Sequence, residues 1–237
     1  MSENAAAFSR YSRQIFIEEI GVAGQRKIME SKILVIGAGG LGSPAIQYLA
    51  AAGVGIVGIV DFDRLEEHNL NRQILHRTAD VGNLKVDSAA RFVQALNPLV
   101  KVQKHEVELA ASNATDLLSG YDVIVDGSDN FRTRYLVNDV CVAVQKPLVY
   151  GSIFGFEGQL AVFNYAGSKN LRDLFPEPPS ANDIPDCDSN GVLGALPGII
   201  GSMMAMQALK IVLDLPVDSN QLTMVDTMRW NFTKINF

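Results

Sequence analysis

Positive charge is scarce in this chain. Its 237 residues hold 20 Lys and Arg against 26 Asp and Glu, a formal net charge of −6. Nucleic-acid backbones are bound through surplus positive charge, so nucleic acid is excluded as the main partner. Cysteine is nearly absent. Cys141 and Cys187 are too few for a disulfide framework or a four-thiolate zinc site, and a reducing, cytoplasmic setting is expected. The start, MSENAAAFSRYSRQ, lacks the basic stretch and apolar core of a signal peptide. The three histidines, His68, His76 and His105, show no metal spacing and are expected in loops or on the surface. Charge is missing altogether from 33–60 and 189–209. Their length would suit membrane spans, but glycines and prolines break both. No membrane partner is expected, and the apolar run from residue 197 reads as a buried helix.

Alternation is what the chain has instead. Lys32–Ile36, Gly55–Val60, Val100–Val107, Asp122–Asp126 and Pro147–Tyr150 read as strands. Residues 42–52, 84–96, 113–119 and 131–145 read as the helices between them. Residues 8–30 read as helical. Strands alternating with helices predict an α/β fold, a Rossmann-like, doubly wound, mainly parallel sheet. The last third changes character: 156–164 and 221–237 look antiparallel. The polar, Pro-rich stretch 165–190 between them is longer than an ordinary connection, as functional loops are. No repeat or composition break divides the chain. It is therefore read as one domain, 1–237, with an N-terminal helical segment (8–30), a nucleotide-binding core (32–152) and an antiparallel extension (153–237).

The first strand runs straight into Gly37-Ala38-Gly39-Gly40-Leu41-Gly42. This G-x-G-x-x-G opens a helix, so backbone N–H groups can approach phosphate oxygens. Asp61 ends the second strand, where a carboxylate can accept from ribose hydroxyls. These features say nucleotide without saying which, and an NAD-dependent oxidoreductase shares them. Asp63, Asn69, Asn71, Arg72, Gln73, Lys85, Asp129 and Asn130 go further. They fall at the carboxyl ends of strands, where doubly wound sheets bind ligands. Arg72 and Lys85 can offset triphosphate charge, and Asp129 can hold Mg²⁺ beside phosphate oxygens and water. The plainer alternatives are a solvated Lys85 and a helix cap at Asp129 or Asn130.

Several stretches carry a resemblance: RYSRQI at 10–15, GAGGLGSPAIQYLAAAGVG at 37–55, DFD and NLNRQ at 61–73, and GNLKVDSA at 82–89. DGSDNFRTR at 126–134, GFEGQLAVF at 155–163 and GVLGALPGIIGSMMAMQALK at 191–210 complete it. Over nearly its whole length the chain resembles the sulfur-carrier adenylyltransferases of the MoeB, ThiF and HesA type, relatives of the ubiquitin-activating enzymes. The resemblance implies an enzyme that uses ATP and Mg²⁺ to adenylate the C-terminal glycine of a ubiquitin-like sulfur carrier ending in Gly-Gly. The carrier would belong to molybdopterin or thiamine synthesis and would dock on the 153–237 extension. The resemblance also implies a homodimer in which Arg13 reaches the partner's ATP. Gly40, Asp61, Asn69, Arg72 and Gln73 match nucleotide and triphosphate contacts, Lys85 the catalytic lysine and Asp129 the magnesium ligand.

Two departures stand out. Many relatives carry a zinc site of two C-x-x-C pairs; here Asn170-Leu171-Arg172-Asp173 stands at the first and the second is missing, so no zinc is expected. Cys187 falls where some relatives use a cysteine covalently, but Asp183, Asp186 and Asp188 surround it and disfavour a thiolate. A nucleophile and a plain loop cysteine both remain open. Gly151, Gly155 and Gly158 either line a channel for the carrier's tail or serve turns. A non-catalytic scaffold would be expected to lose Arg72, Lys85 or Asp129, and all three are present.

Overall fold

A computed structural model describes residues 9–179 and 191–237. The parallel strands are β1 (Lys32–Ile36), β2 (Ile56–Val60), β3 (Lys101–His105), β4 (Val123–Asp126) and β5 (Leu148–Phe154). With the antiparallel strands β6 (Glu157–Phe163), β7 (Gln221–Asp226) and β8 (Asn231–Asn236) they form one sheet, ordered β3-β2-β1-β4-β5-β6-β7-β8. The connection reverses direction between β1 and β4, which pair through Ile36 and Asp126. A ligand crevice is expected outside the carboxyl ends of strands at such a point.

Alternate side chains of the strands feed two cores. Ile33, Val35, Val57, Ile59, Val123 and Val125 face one side, with α3 (Gly42–Ala52), α4 (Lys85–Leu96) and α8 (Ala195–Val212) packed on it. Leu34, Ile36, Ile124, Leu148 and Phe163 face the other, under α5 (Ala114–Ser119) and α6 (Phe131–Ala143). Cys141 is fully buried in this second core, and burial pushes its thiol up, in keeping with a packing role.

The expected boundaries hold to within a few residues, with three differences. The N-terminal helix is broken into α1 (Ser12–Ile15) and α2 (Gly21–Glu30) around Gly21, whose φ of +55° interrupts the helical path. Residues 170–174 add a capped helical turn, α7 (Leu171–Leu174), inside the long connection. The third is α8, which is not buried all round. It packs on α3 and the sheet through Leu196, Ile200, Met204 and Ala208, but Met206 is 59% exposed. By length and composition alone this helix would suffice to cross a membrane.

Close backbone approaches fix α8. A Cβ on Gly201 would lie 2.3 Å from the Leu41 carbonyl oxygen at the start of α3. Gly151 and Gly158 serve the same helix: their missing side chains admit Met204 and Ile200, each 2.3 Å from the position a Cβ would take. Of the three glycines for which a tail channel and ordinary turns were both open, Gly151 and Gly158 thus make room for α8. Gly155 (φ +57°) makes the two-residue β5–β6 turn.

Tyr11 anchors the N-terminal segment. Its ring lies over Gly53, which ends α3 in the left-handed region at φ +88°, and its hydroxyl accepts from Asn97 Nδ2 (2.8 Å). A Cβ on Gly53 would sit 2.4 Å from Tyr11 Cζ. Gly53→Ala combines a strained φ with this clash and is expected to lower unfolding free energy by about 2–4 kcal/mol in urea titration. Wild-type stability in that variant would show that Tyr11 does not dock there.

Candidate active site

The glycine turn is held from below by two buried side chains. Asp61 accepts from Ala38 N through Oδ2 and from Asp63 N through Oδ1, both at 2.8 Å. His76 bonds the Ala38 carbonyl through Nε2 at 3.0 Å. Held this way, the backbone N–H groups of Gly39, Gly40, Leu41 and Gly42 donate to no protein group among the described residues. The next one, on Ser43, already bonds the Gly39 carbonyl. Four consecutive open donors at the N-terminus of an eleven-residue helix are the arrangement in which helix N-termini bind anions.

Charged groups flank it. Lys85 is buried and donates to Asp63 Oδ2 at 2.7 Å, so the solvated alternative does not apply. Burial raises the pKa of Asp61 above the ordinary carboxylate value, and nearby Lys85 opposes that rise. Arg72 is tied to the His68 carbonyl and to Asn71 Oδ1, and its Cγ lies 3.7 Å from where a Cβ on Gly40 would stand. Gln73 is buried, and its Nε2 is 3.7 Å from the corresponding point on Gly39. Asn69 is buried and closes a short 3-10 turn through its bond from Glu66 N.

Across the crevice, the loop after β4 is pinned by residues that sequence reasoning passed over. Asp126 is fully buried and accepts from Ser128 N at 3.0 Å; burial raises its pKa and Arg134 opposes the rise. Arg134, also buried, donates to the Ser128 carbonyl and the Tyr150 hydroxyl, both at 3.0 Å. Their only advance sign was their place inside DGSDNFRTR. Asn130, not Asp129, caps α6 by accepting from Thr133 N (2.9 Å). Asp129 is exposed, and its one side-chain hydrogen bond among the described residues is accepted from Asn130 Nδ2 at 3.4 Å. Buried Gln73 Oε1, Asp126 Oδ2, Ser128 Oγ and Arg134 Nε have no partner among the described residues, as expected of groups set beside a polar ligand.

A divalent cation fits this arrangement only in company. No group of three or more metal-type side chains exists among the described residues. Mg²⁺, however, commonly takes one or two carboxylates and completes its shell with phosphate oxygens and water, and Asp129 is free to be one.

The remaining sequence expectations sort as follows. Arg13 is exposed and makes no ion pair among the described residues; it sits on the segment anchored by Tyr11 and by Gln14, which donates to the Ala52 carbonyl. Asn71 is exposed. Cys187 lies outside the described residues. His68 is exposed, as expected of a loop residue. His76 also lies in a loop, but it is buried, with its ring against the Ala38 carbonyl. His105 is half-buried on β3, bonded to the Tyr121 hydroxyl (2.7 Å). At the place of the first missing cysteine pair, Asn170 caps α7 and Arg172 pairs with Asp139.

Comparison with known proteins adds to this geometry. The profile of the ThiF family matches residues 11–237. Over 208 residues the chain is 51% identical to "Probable adenylyltransferase/sulfurtransferase MoeZ" of Mycobacterium tuberculosis, covering 86% of this chain and 53% of that protein. It thus spans about half the length of that relative. It is 46% identical over 233 residues to "Sulfur carrier protein adenylyltransferase" of Thermus thermophilus, covering 95% and 86%. The fold matches crystalline MccB of E. coli bound to MccA-N7isoASN, with a TM-score of 0.85 at 19% identity over 97% of this chain and 71% of MccB.

The two loop residues can be told apart by stability. Asn130→Ala removes a helix cap and is expected to cost about 1 kcal/mol. Asp129→Ala should leave urea stability within about 0.5 kcal/mol of wild type. The reverse ranking would assign the cap to Asp129 and deny it a free carboxylate.

Proposed function

The chain belongs to the ThiF family, and on that premise we propose that it is an adenylyltransferase. It would use ATP to activate the C-terminal glycine carboxylate of a ubiquitin-like sulfur carrier, giving acyl-AMP and pyrophosphate. The observation that carries this reading is the run of four N–H groups from Gly39 to Gly42 without a partner among the described residues, with buried Lys85 beside Asp61 and Asp63 and an exposed Asp129 on the loop after β4. A hydride-transfer site has no need of Lys85 and Asp129.

In the proposed reaction a carrier carboxylate oxygen forms a bond to the α-phosphorus, and the bond from that phosphorus to the α–β bridging oxygen breaks. Both reactants are anions, so catalysis is mainly positioning and charge stabilisation. The free N–H groups hold phosphate oxygens. Arg72 and Lys85 offset charge as pyrophosphate departs, with Lys85 turning from Asp63 toward the nucleotide. Asp61 is placed for the ribose. Asp129 would hold Mg²⁺, which when bound screens the phosphate charge. Arg13 would act from a second copy of the chain. The exposed Tyr48 of α3 and Met206 of α8, on helices that pack together, give that copy an apolar face to cover. The carrier would dock at the antiparallel end, where Phe154, Phe156, Met228, Trp230 and Phe232 are exposed on adjoining hairpins. A cytoplasmic location accords with this role.

ATP–pyrophosphate exchange with Mg²⁺ and Gly-Gly-ending carriers of molybdopterin and thiamine synthesis tests the reading. Exchange is expected with one carrier and should fall at least about 100-fold in Asp129→Ala. ATP binding without exchange for any carrier tried would favour a scaffold. Arg13 has its own test. Arg13→Ala and Asp129→Ala proteins, each inactive alone, should on mixing regain about a quarter of wild-type exchange. Half the dimers would be mixed, and one of two sites in each intact. No recovery after verified subunit exchange would place Arg13 in its own chain's site or outside the chemistry.

A further inference from the structure

His76 belongs to no catalytic step above, yet it is buried against the turn that would hold phosphate. It is the middle of a chain. Its Nε2 meets the Ala38 carbonyl oxygen at 3.0 Å, its Nδ1 meets Ser88 Oγ at 2.9 Å, and Ser88 Oγ meets Asp80 Oδ2 at 2.9 Å. Asp80 is also bound by Arg91 at 2.6 Å, and these partners hold its pKa below the ordinary carboxylate value. It therefore accepts only.

The protons in this chain can be counted. A carbonyl and a carboxylate donate nothing, so three links need three protons from two side chains. Neutral histidine brings one and serine one. With Nε2–H on the carbonyl and Ser88 O–H on Asp80, the Nδ1 and Oγ lone pairs face each other. Only an imidazolium completes the chain, its added proton on Nδ1 and donated to Oγ. Charges around the ring divide. Asp61 and Asp80 favour the imidazolium, Lys85 opposes it, and burial lowers the pKa of the ring in the free protein.

We propose that His76 is a proton-linked positioning residue, taking up one proton from solvent when a nucleoside triphosphate binds the glycine turn. The inference rests on the nucleotide reading above. Its physical link is the peptide between Ala38 and Gly39. In a trans peptide the C=O and N–H point opposite ways, so tying the Ala38 carbonyl to His76 aims the Gly39 N–H away from it, among the free donors. An imidazolium on the carbonyl polarises that amide and strengthens the N–H as a donor to anion. The anion in turn stabilises the imidazolium. By linkage, a proton taken up on binding means tighter binding as pH falls.

The test follows ring resonances by NMR. The chain has only three histidines, and His68→Gln and His105→Gln assign them. Saturating ATP is expected to raise the His76 pKa by roughly half a unit to one unit. Calorimetry in buffers of different ionisation enthalpy, between about pH 5.5 and 7.5, should show greater proton uptake in wild type than in His76→Gln. That difference cancels the titration of ATP itself. Wild-type affinity should gain about three- to tenfold over the variant's trend on acidification. Ser88→Ala, which keeps the histidine but removes the acceptor for Nδ1–H, should show reduced uptake with ATP still bound. ATP binding with an unmoved or lowered His76 pKa overturns this inference alone. Failure of both ATP and pyrophosphate to bind overturns the nucleotide reading, and this inference with it.

Discussion

Two buried side chains act on the residue at the centre of the glycine turn, Asp61 on its N–H and His76 on its carbonyl. Both anchors come from sequence beyond the turn: Asp61 from the end of β2, His76 from the loop that follows. The turn is therefore not a free loop that a phosphate must organise. Its donors stay open because the backbone around them is already committed, and the ordering cost of binding is correspondingly small. Lys85 reaches the same place from α4, buried and paired with Asp63.

The opposite wall is built on similar lines. Asp126 and Arg134 occupy the end of β4 and the first turns of α6, each bonding the backbone of Ser128. With Asn130 spent on the helix cap, the loop is pinned by Asp126, Arg134 and Asn130, and Asp129 makes only a long bond to Asn130 among the described residues. A carboxylate with no structural duty can be placed for a ligand without cost to the fold. Where α8 crosses, Gly201 lets it touch the backbone at the head of α3, so the long apolar helix and the glycine turn share one close contact.

Periodicity and glycine made the fold legible. The five parallel strands and their order-defining connections follow from short β-branched runs separated by amphipathic stretches, and β1 and α3 begin and end where the pattern does. The glycine turn, Asp61 and Lys85 were legible because they sit at strand and helix ends. What periodicity could not reveal was contact across the sequence. His76 reads as a loop residue because nothing local says that its ring lies under Ala38, 38 positions earlier. Asp126 and Arg134 read as a strand end and a helix position, since burial of a charge is decided by neighbours from other elements. The glycines of β5 and β6 left two readings open for the same reason. A missing side chain announces that something comes close, but not whether it is a partner's tail or the protein's own helix. The apolar run of α8 concealed its exposed side because hydrophobicity does not distinguish a face packed inward from one left for another surface.

The anchoring of Tyr11 carries one more consequence. It is fastened at Gly53, the far end of α3, beside Asn97 at the far end of α4. An eleven-residue helix is about 16 Å long, so α3 works as a strut with the glycine turn at its head and the N-terminal segment bolted to its foot. Arg13, two residues past the bolt, sits on the segment fastened at the foot of that strut, where Gln14 donates to the Ala52 carbonyl. The helix therefore ties the N-terminal segment and the glycine turn to the two ends of one rod.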